Sequence, residues 1–397
     1  MYSSTWFVAA DFFVGKEGYI TVFLGVLIIL FGTNFERVLD FRFSFSTIEK
    51  KIMLLILFLF LFSTFRYNIQ DLSSFKGIIN LSAYLVLIVI YFFSLPRFFD
   101  ENPHFFEKFI KWISIFGSFF AILGIFILFF APAPSGSAYG FVSIIKHPNL
   151  TSKVLTVTIF PTLYYIYWKR DSISTNIKYF FVFSLSLQII AQALTLDRAG
   201  LIGNTIGLLL FFGLVYRSKI IYIIPIFAVL IASYGNSIFR AKGFASFVTR
   251  FYLLVPAFEM IFRSPEKTYW GYGITSGFAE FSKNLLVFYS NEPQQTDPHN
   301  SYVTLWLFFG LYFTVSVLFF VIILIIKGLK FALKSKDFSV SLRYNFLVSA
   351  LIAILIQAIF DAEIIRFDYF TVQYLFVITG MIYLTKNEVS QVKIIKS

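Results

Sequence analysis

The chain has three histidines, His104, His147 and His299, and no cysteine. Imidazole is the side chain best matched to taking a proton near neutral pH. His299 lies in the run DPHNSY, directly before a long apolar segment. Two readings of it stand: a proton acceptor, or a structural histidine that caps a helix. Arg198 lies in LTLDRAGLIG, between two apolar runs with almost no loop. Its guanidinium either forks onto the oxygens of an anion such as phosphate or snorkels to a membrane surface. Asp361 and Glu363 have a spacing that can hold a divalent cation. Beside Arg366 and Asp368 they equally form an ionic cluster at an interface. The lack of cysteine excludes disulfides, thiolate metal sites and cysteine nucleophiles. Zinc-ligand spacing and a glycine-rich phosphate loop ending in Lys-Ser/Thr are both missing from the sequence.

What must position these residues is a set of membrane helices. Hydrophobic residues make up 58% of the 397 and charged residues 14%, with a mean hydropathy of +0.79. A soluble domain carries about a quarter charged residues and has no way to hide so much apolar surface. A bilayer does, because lipid becomes the solvent for the outer faces. The 56 phenylalanines read as lipid-facing bulk. The net charge of +12 would point to nucleic acid in a soluble protein; here cytoplasmic loops rich in Lys and Arg account for it, and no nucleic-acid partner is expected.

Apolar runs bounded by charges predict eleven spans: 18–33, 52–65, 78–95, 109–131, 149–168, 177–196, 200–216, 220–234, 302–326, 344–360 and 369–385. Some are short for a bilayer of about 30 Å, and the second and eighth are expected to extend or tilt. Pro161 is expected to kink or shorten the fifth. Residues 1–17 form an interfacial helix or a twelfth, partial span, and their lack of a basic leader before Asp11 argues against a cleaved signal peptide. The expected fold is thus all-α and polytopic, with 11–12 transmembrane helices in a single domain over 1–397. One long loop, 235–301, separates the eighth and ninth spans, and such a loop in a compact chain is usually functional. Within it FVTRFYLLVPAFEMIF (247–262) predicts a short amphipathic interfacial helix, interrupted at Pro256.

With the long loop outside, 20 of the 33 Lys and Arg fall on the cytoplasmic side, which the positive-inside rule favours. The C-terminus is then cytoplasmic. The outer edge gathers Lys146, His147, Asn149, Asp197, Arg198, Arg240, Lys242, Arg250, Arg263, Asp297, His299, Asn300 and Asp361. Charges at membrane depth are costly and often functional. No internal repeat is visible, which counts against a repeat-built transporter.

Four stretches then resemble one family. KHPNLTSKVLTVTIFP (146–161), LTLDRAGLIGNTIGLLLFF (194–212), TRFYLLVPAFEMIFRSPEKTYWGYG (249–273) and PHNSYVTLWLFFGLYFTVSVLFF (298–320) are similar, in order and membrane side, to segments of the bacterial O-antigen ligase and O-antigen polymerase superfamily. QAIFDAEIIRFDYF (357–370) is a weaker fifth. Asp197 stands where that family usually has Ser, Ala199 where Gly is common, His147 for a more usual Gly, and Leu254 where Trp is frequent.

The resemblance implies a metal-independent, inverting glycosyltransferase of the bacterial inner membrane, without cofactor, working at the periplasmic face. Its donor would be a glycan on undecaprenyl diphosphate. Its acceptor would be a sugar hydroxyl of lipid A–core for a ligase, or a second lipid-linked glycan for a polymerase; the single long loop favours the ligase. A lipid or polysaccharide transporter without covalent chemistry is the alternative of another class. In the transferase reading His299 is the general base, and Arg198, Arg250 and Arg263 bind the diphosphate. Asn300, His147, Asn149 and Asp361 support them.

Overall fold

A computed structural model of the protein describes residues 48–72, 88–130, 148–169, 174–217, 245–288, 298–361 and 370–384. The expected spans 18–33 and 220–234, most of 78–95, residues 1–17, and His147, Glu363, Arg366 and Asp368 lie outside the described residues. Among the described residues the regular structure is helical throughout. In chain order the helices are α1 (Ile48–Leu72), a π-helical stretch (Val89–Ser94) running into α2 (Leu95–Glu101), α3 (Pro103–Phe130), α4 (Pro148–Trp168), α5 (Thr175–Leu194) and α6 (Arg198–Tyr216). They continue with α7 (Ala245–Phe262), α8 (Pro265–Trp270), α9 (Ile274–Phe288), α10 (Ser301–Lys334), α11 (Phe338–Gln357) and α12 (Phe370–Leu384).

Five of these, α3, α5, α6, α10 and α11, are long and apolar enough to cross a membrane by length and composition. The described part is that of an all-helical, multi-pass membrane protein. Its outward faces carry large apolar side chains: Trp112, Phe116, Phe119, Ile122, Phe126 and Phe129 form an exposed stripe at helical spacing on α3. Water would make such a stripe costly, whereas lipid accepts it.

Helix α4 has the opposite design. Every residue from Thr151 to Ile166 is buried, because α3, α5, α6 and α11 pack around it. A helix screened from lipid can carry polar groups, provided their hydrogen bonds close locally. Thr156 and Thr162 donate their hydroxyls to backbone carbonyls one turn back. Gln188 of α5 donates to Thr162 Oγ1 at 3.1 Å, Gln192 to Ser152 Oγ at 2.7 Å, and Gln357 of α11 to Thr156 Oγ1 at 2.5 Å. This polar interior is why α4 falls outside the five apolar helices although it sits at their centre. Pro161 neither ends nor shortens it: the helix runs unbroken to Trp168, seven residues past the ring.

The tightest helix pair is α6 on α11. A Cβ on Gly203 would lie 2.5 Å from the Ala353 carbonyl oxygen, and one on Gly207 2.8 Å from that of Ser349. Small residues four apart let the two backbones approach in this way.

Residues 245–288, the described part of the long loop, fold into α7, α8 and α9. Helix α7 continues through Pro256, so the expected interruption is absent. The three helices share a second apolar core with the first part of α10 and one turn of α1: Leu253, Ala257, Met260, Ile261, Phe281 and Leu285 meet Leu305, Leu307, Phe308, Phe309 and Phe60. Ser264 caps α8, its hydroxyl accepting from Lys267 N at 3.3 Å, with Pro265 as first helical residue. Helix α10 breaks at Gly310 (φ 82°, ψ 175°). The carbonyls of Leu307 and Phe308 accept instead from Tyr272 N at 2.9 Å and Gly273 N at 2.8 Å. The segment Gly271-Tyr272-Gly273 is thus hydrogen-bonded into the gap of a long apolar helix.

Candidate functional site

Four chain segments come to one end of the bundle: the start of α4, the α5–α6 turn, the start of α10 and the end of α11. The turn between α5 and α6 is three residues long. Leu196 adopts φ 53°, which is rare for a bulky side chain. Asp197 follows as the N-cap of α6, its carboxylate accepting from Gly200 N at 3.0 Å. Its own N–H donates to Thr195 Oγ1 at 3.2 Å. The cap fixes the first helical residue, Arg198, at the helix end. There Arg198 lies within electrostatic range of Arg250 of α7. Two cations within range of one another are stabilised by an anion that reaches both.

The start of α10 is stitched to the end of α11. Asn300 is the N-cap, its side-chain oxygen accepting from Tyr302 N and Val303 N at 3.0 Å each. Its amide nitrogen donates to the Ile359 carbonyl at 2.8 Å. Ser301 N donates to the Ala358 carbonyl at 2.9 Å, the Ser301 hydroxyl to that of Asp361, and Tyr302 OH to that of Leu355 at 2.7 Å. These bonds hold the backbone directly after His299 and leading up to Asp361. His299 adopts φ 49°, a left-handed conformation in which His is one of the enriched non-glycine residues. A strained backbone kept in place by its surroundings is a common mark of a working residue.

The imidazole Nδ1 faces Asp361 Oδ1 at 3.6 Å, a charge-contact distance slightly long for a hydrogen bond. The other carboxylate oxygen, Oδ2, accepts from Lys153 Nζ of α4 at 2.7 Å. The Lys153 side chain is only 7% exposed and that of Asp361 18%, while His299 is 34% exposed. Burial pushes the Asp361 carboxyl up, but Lys153 and His299 outweigh it and hold it well below the usual carboxylate range. The carboxylate is thus charged, with a buried ammonium on one side and a partly open imidazole on the other. A ring held through Nδ1 leaves Nε2 as the atom able to take a proton.

The sequence-predicted residues divide as follows. His299, Asn300 and Asp361 come together, with Asn300 acting as a cap. Asn149 is the half-buried second residue of α4 at the same end. Arg198 and Arg250 lie within electrostatic range of each other. Arg263 does not join them: it follows Arg250 by thirteen positions, about 20 Å along a helix axis, which is too far to share one diphosphate. Its guanidinium donates to Glu259 Oε2 at 3.0 Å and to Asn284 Oδ1 at 3.1 Å, and Asn284 donates back to Glu259 Oε2 at 2.7 Å. That trio joins α7 to α9. Asn284 foremost holds the Glu259 carboxyl below its ordinary range; burial opposes it, and Arg263 adds to the lowering.

Lys153 was the residue the sequence reading passed over. Its signal was present: a lone ammonium within TSKVLTVT, inside a predicted span, is costly unless paired. No known protein-family description, curated protein or solved structure matches the chain.

Proposed function

We propose that the protein is a membrane glycosyltransferase that moves a glycan from undecaprenyl diphosphate to a sugar hydroxyl, in the manner of the O-antigen ligases, with lipid A–core as acceptor. The observation that carries this reading is the Asp-held imidazole, His299–Asp361, at the end of a helical membrane bundle where Arg198 opens α6 within electrostatic range of Arg250. The acceptor oxygen attacks the anomeric carbon and a new C–O bond forms. His299 Nε2 takes the hydroxyl proton. The bond from the anomeric carbon to the phosphate oxygen breaks, and its electron pair leaves with the diphosphate. Arg198 and Arg250 stabilise the charge that grows there. A single displacement inverts the anomeric centre. The donor brings its own leaving group, so these residues need no nucleotide or metal.

In this reading the site end faces the periplasm, the C-terminus is cytoplasmic, 11–12 helices cross the inner membrane, and α7–α9 roof the acceptor groove. Asp197 and Ala199, which depart from the resembled family's Ser and Gly, fit the same turn. Asp and Ser are both good N-caps, and Ala199 points its methyl into a buried position.

The test is transfer from a polyprenyl-diphosphate-linked glycan in proteoliposomes. His299→Ala is expected to abolish it while the protein still inserts; full transfer by that variant removes the role. A lipopolysaccharide gel from a deletion strain separates the two transferases. Bare core with polymer stranded on its carrier means ligase, and core bearing one repeat unit means polymerase. An unchanged gel rejects both.

A further inference from the structure

The buried end of the site holds a charge that the proposed reaction does not use. Lys153 enters from α4, five positions past its first residue, with its ammonium 2.7 Å from Asp361 Oδ2. A lysine buried to this degree is retained only with a counter-charge. The same carboxylate faces His299 Nδ1 with its second oxygen, 3.6 Å away. One Asp thus bridges a buried cation and the imidazole. Among the described residues, the other charged side chains on the segments at this end are Asp197, the buried N-cap of α6, Arg198 at the start of α6 and Arg250 on α7.

We propose that Lys153 is a positioning residue for His299. It pins Asp361 so that one carboxylate oxygen is left to orient the ring, and it offsets the carboxylate's charge so that the imidazole stays neutral and ready to accept a proton. An Asp facing a His without such compensation stabilises the imidazolium, which has no lone pair left for a base to use. The deduction rests on the reading of His299 as the base, but its first test does not need turnover.

Diethyl pyrocarbonate acylates neutral imidazole and spares imidazolium. Modification of His299, followed by peptide mass spectrometry between about pH 5 and pH 8, reports its neutral fraction in the intact, detergent-solubilised protein. Lys153→Met is expected to move the midpoint of modification up by about one pH unit, a roughly tenfold loss of reactive imidazole at the acid end. Lys153→Arg, which keeps the charge, is expected to hold the wild-type midpoint. The double variant Lys153→Met/Asp361→Asn removes both charges and is expected to return to within a few tenths of a unit of wild type. It also serves where the single variant does not fold. A wild-type midpoint in Lys153→Met, or a double variant displaced by as much as the single, overturns the proposal. Glycan transfer is read in parallel, where the acid limb of kcat/KM should move with the chemical midpoint. A shifted midpoint in a protein that transfers no glycan sinks the transferase reading and leaves the Lys153 role standing. Active protein with an unshifted midpoint does the reverse.

Discussion

Lys153 and Asp361 lie 208 positions apart in the chain and meet at 2.7 Å, joining the central helix α4 to the end of α11. The pair is asymmetric, because the ammonium is the more deeply buried partner. Removing the carboxylate leaves a buried cation facing a neutral amide, and such a loss costs about 3–5 kcal/mol. Asp361→Asn is therefore expected to lower thermal stability in detergent sharply. Lys153→Met leaves a partly solvated carboxylate and should cost less, and the double variant Lys153→Met/Asp361→Asn should recover part of the loss. Equal melting temperatures for wild type and Asp361→Asn contradict the pairing. The pH dependence has a definite sign. The folded carboxyl lies below its unfolded value, so its contribution is complete above about pH 4 and shrinks as pH falls further. The gap between wild type and Asp361→Asn should be full at neutral pH and narrow in acid.

Gly310 is the hinge on which the loop helices dock. Its backbone, φ 82° and ψ 175°, is a conformation essentially reserved for glycine, costing any other residue about 1–3 kcal/mol. A Cβ there would also stand 2.1 Å from the Tyr269 carbonyl oxygen and 2.5 Å from Trp270 Cα, both backbone atoms with little room to yield. Gly310→Ala is expected to restore a continuous α10 and expel residues 271–273 from the gap. Limited proteolysis would then cut within 245–288 at least several-fold faster than in wild type. Unchanged cutting means that the docking does not depend on the break.

How far the sequence disclosed this architecture depends on the kind of helix. The apolar run 302–326 falls within α10, and 109–131 and 344–360 overlap α3 and α11 to within a few residues at their C-terminal ends, because lipid-facing helices must advertise themselves in composition. Helix α4 was found as 149–168 in spite of its threonines. The expected interruption at Pro256 and early end at Pro161 did not occur: both prolines sit inside helices that continue past them, since neighbouring helices hold the chain in place where an isolated helix would part. The break that does exist is at Gly310, and a glycine within LFFGLYF carries no local mark of it. It follows from a partner, Gly271-Tyr272-Gly273, some forty residues away in the chain. His299, Arg198 and Asp361 were legible as polar residues beside apolar runs. Lys153 was legible only as a lone ammonium inside a span; its partner was not, because that carboxylate is brought to it by the fold.

Divalent cations give a separate check on the chemistry. The carboxylate that the sequence offered as a metal ligand, Asp361, spends one oxygen on Lys153 and turns the other to His299. A cation at that oxygen would have to displace the imidazole or the ammonium. With the diphosphate charge assigned to arginines, transfer is expected to persist in excess EDTA. Loss of transfer that Mg²⁺ or Mn²⁺ restores would return Asp361 to the role of a ligand.

The three arginines that the resemblance assigns to the diphosphate are expected to separate by experiment. Arg198 of α6 and Arg250 of α7 lie within electrostatic range of each other, so in the transferase reading each loss should weaken use of the donor. A charged hydrogen bond to phosphate contributes roughly 1.5–3 kcal/mol, which predicts a ten- to hundredfold fall in kcat/KM for Arg198→Ala or Arg250→Ala. The double variant should fall by less than the product, because the two act on one charged group. Arg263 instead closes an exposed trio with Glu259 and Asn284. An exposed salt bridge contributes about 0–1 kcal/mol, so Arg263→Ala should leave donor use within roughly twofold of wild type and only slightly loosen α7 against α9. Titrating the lipid-diphosphate donor against each variant, with acceptor saturating, reads all three. A loss in Arg263→Ala as large as in Arg198→Ala would mean that the diphosphate lies along α7 instead of at its junction with α6.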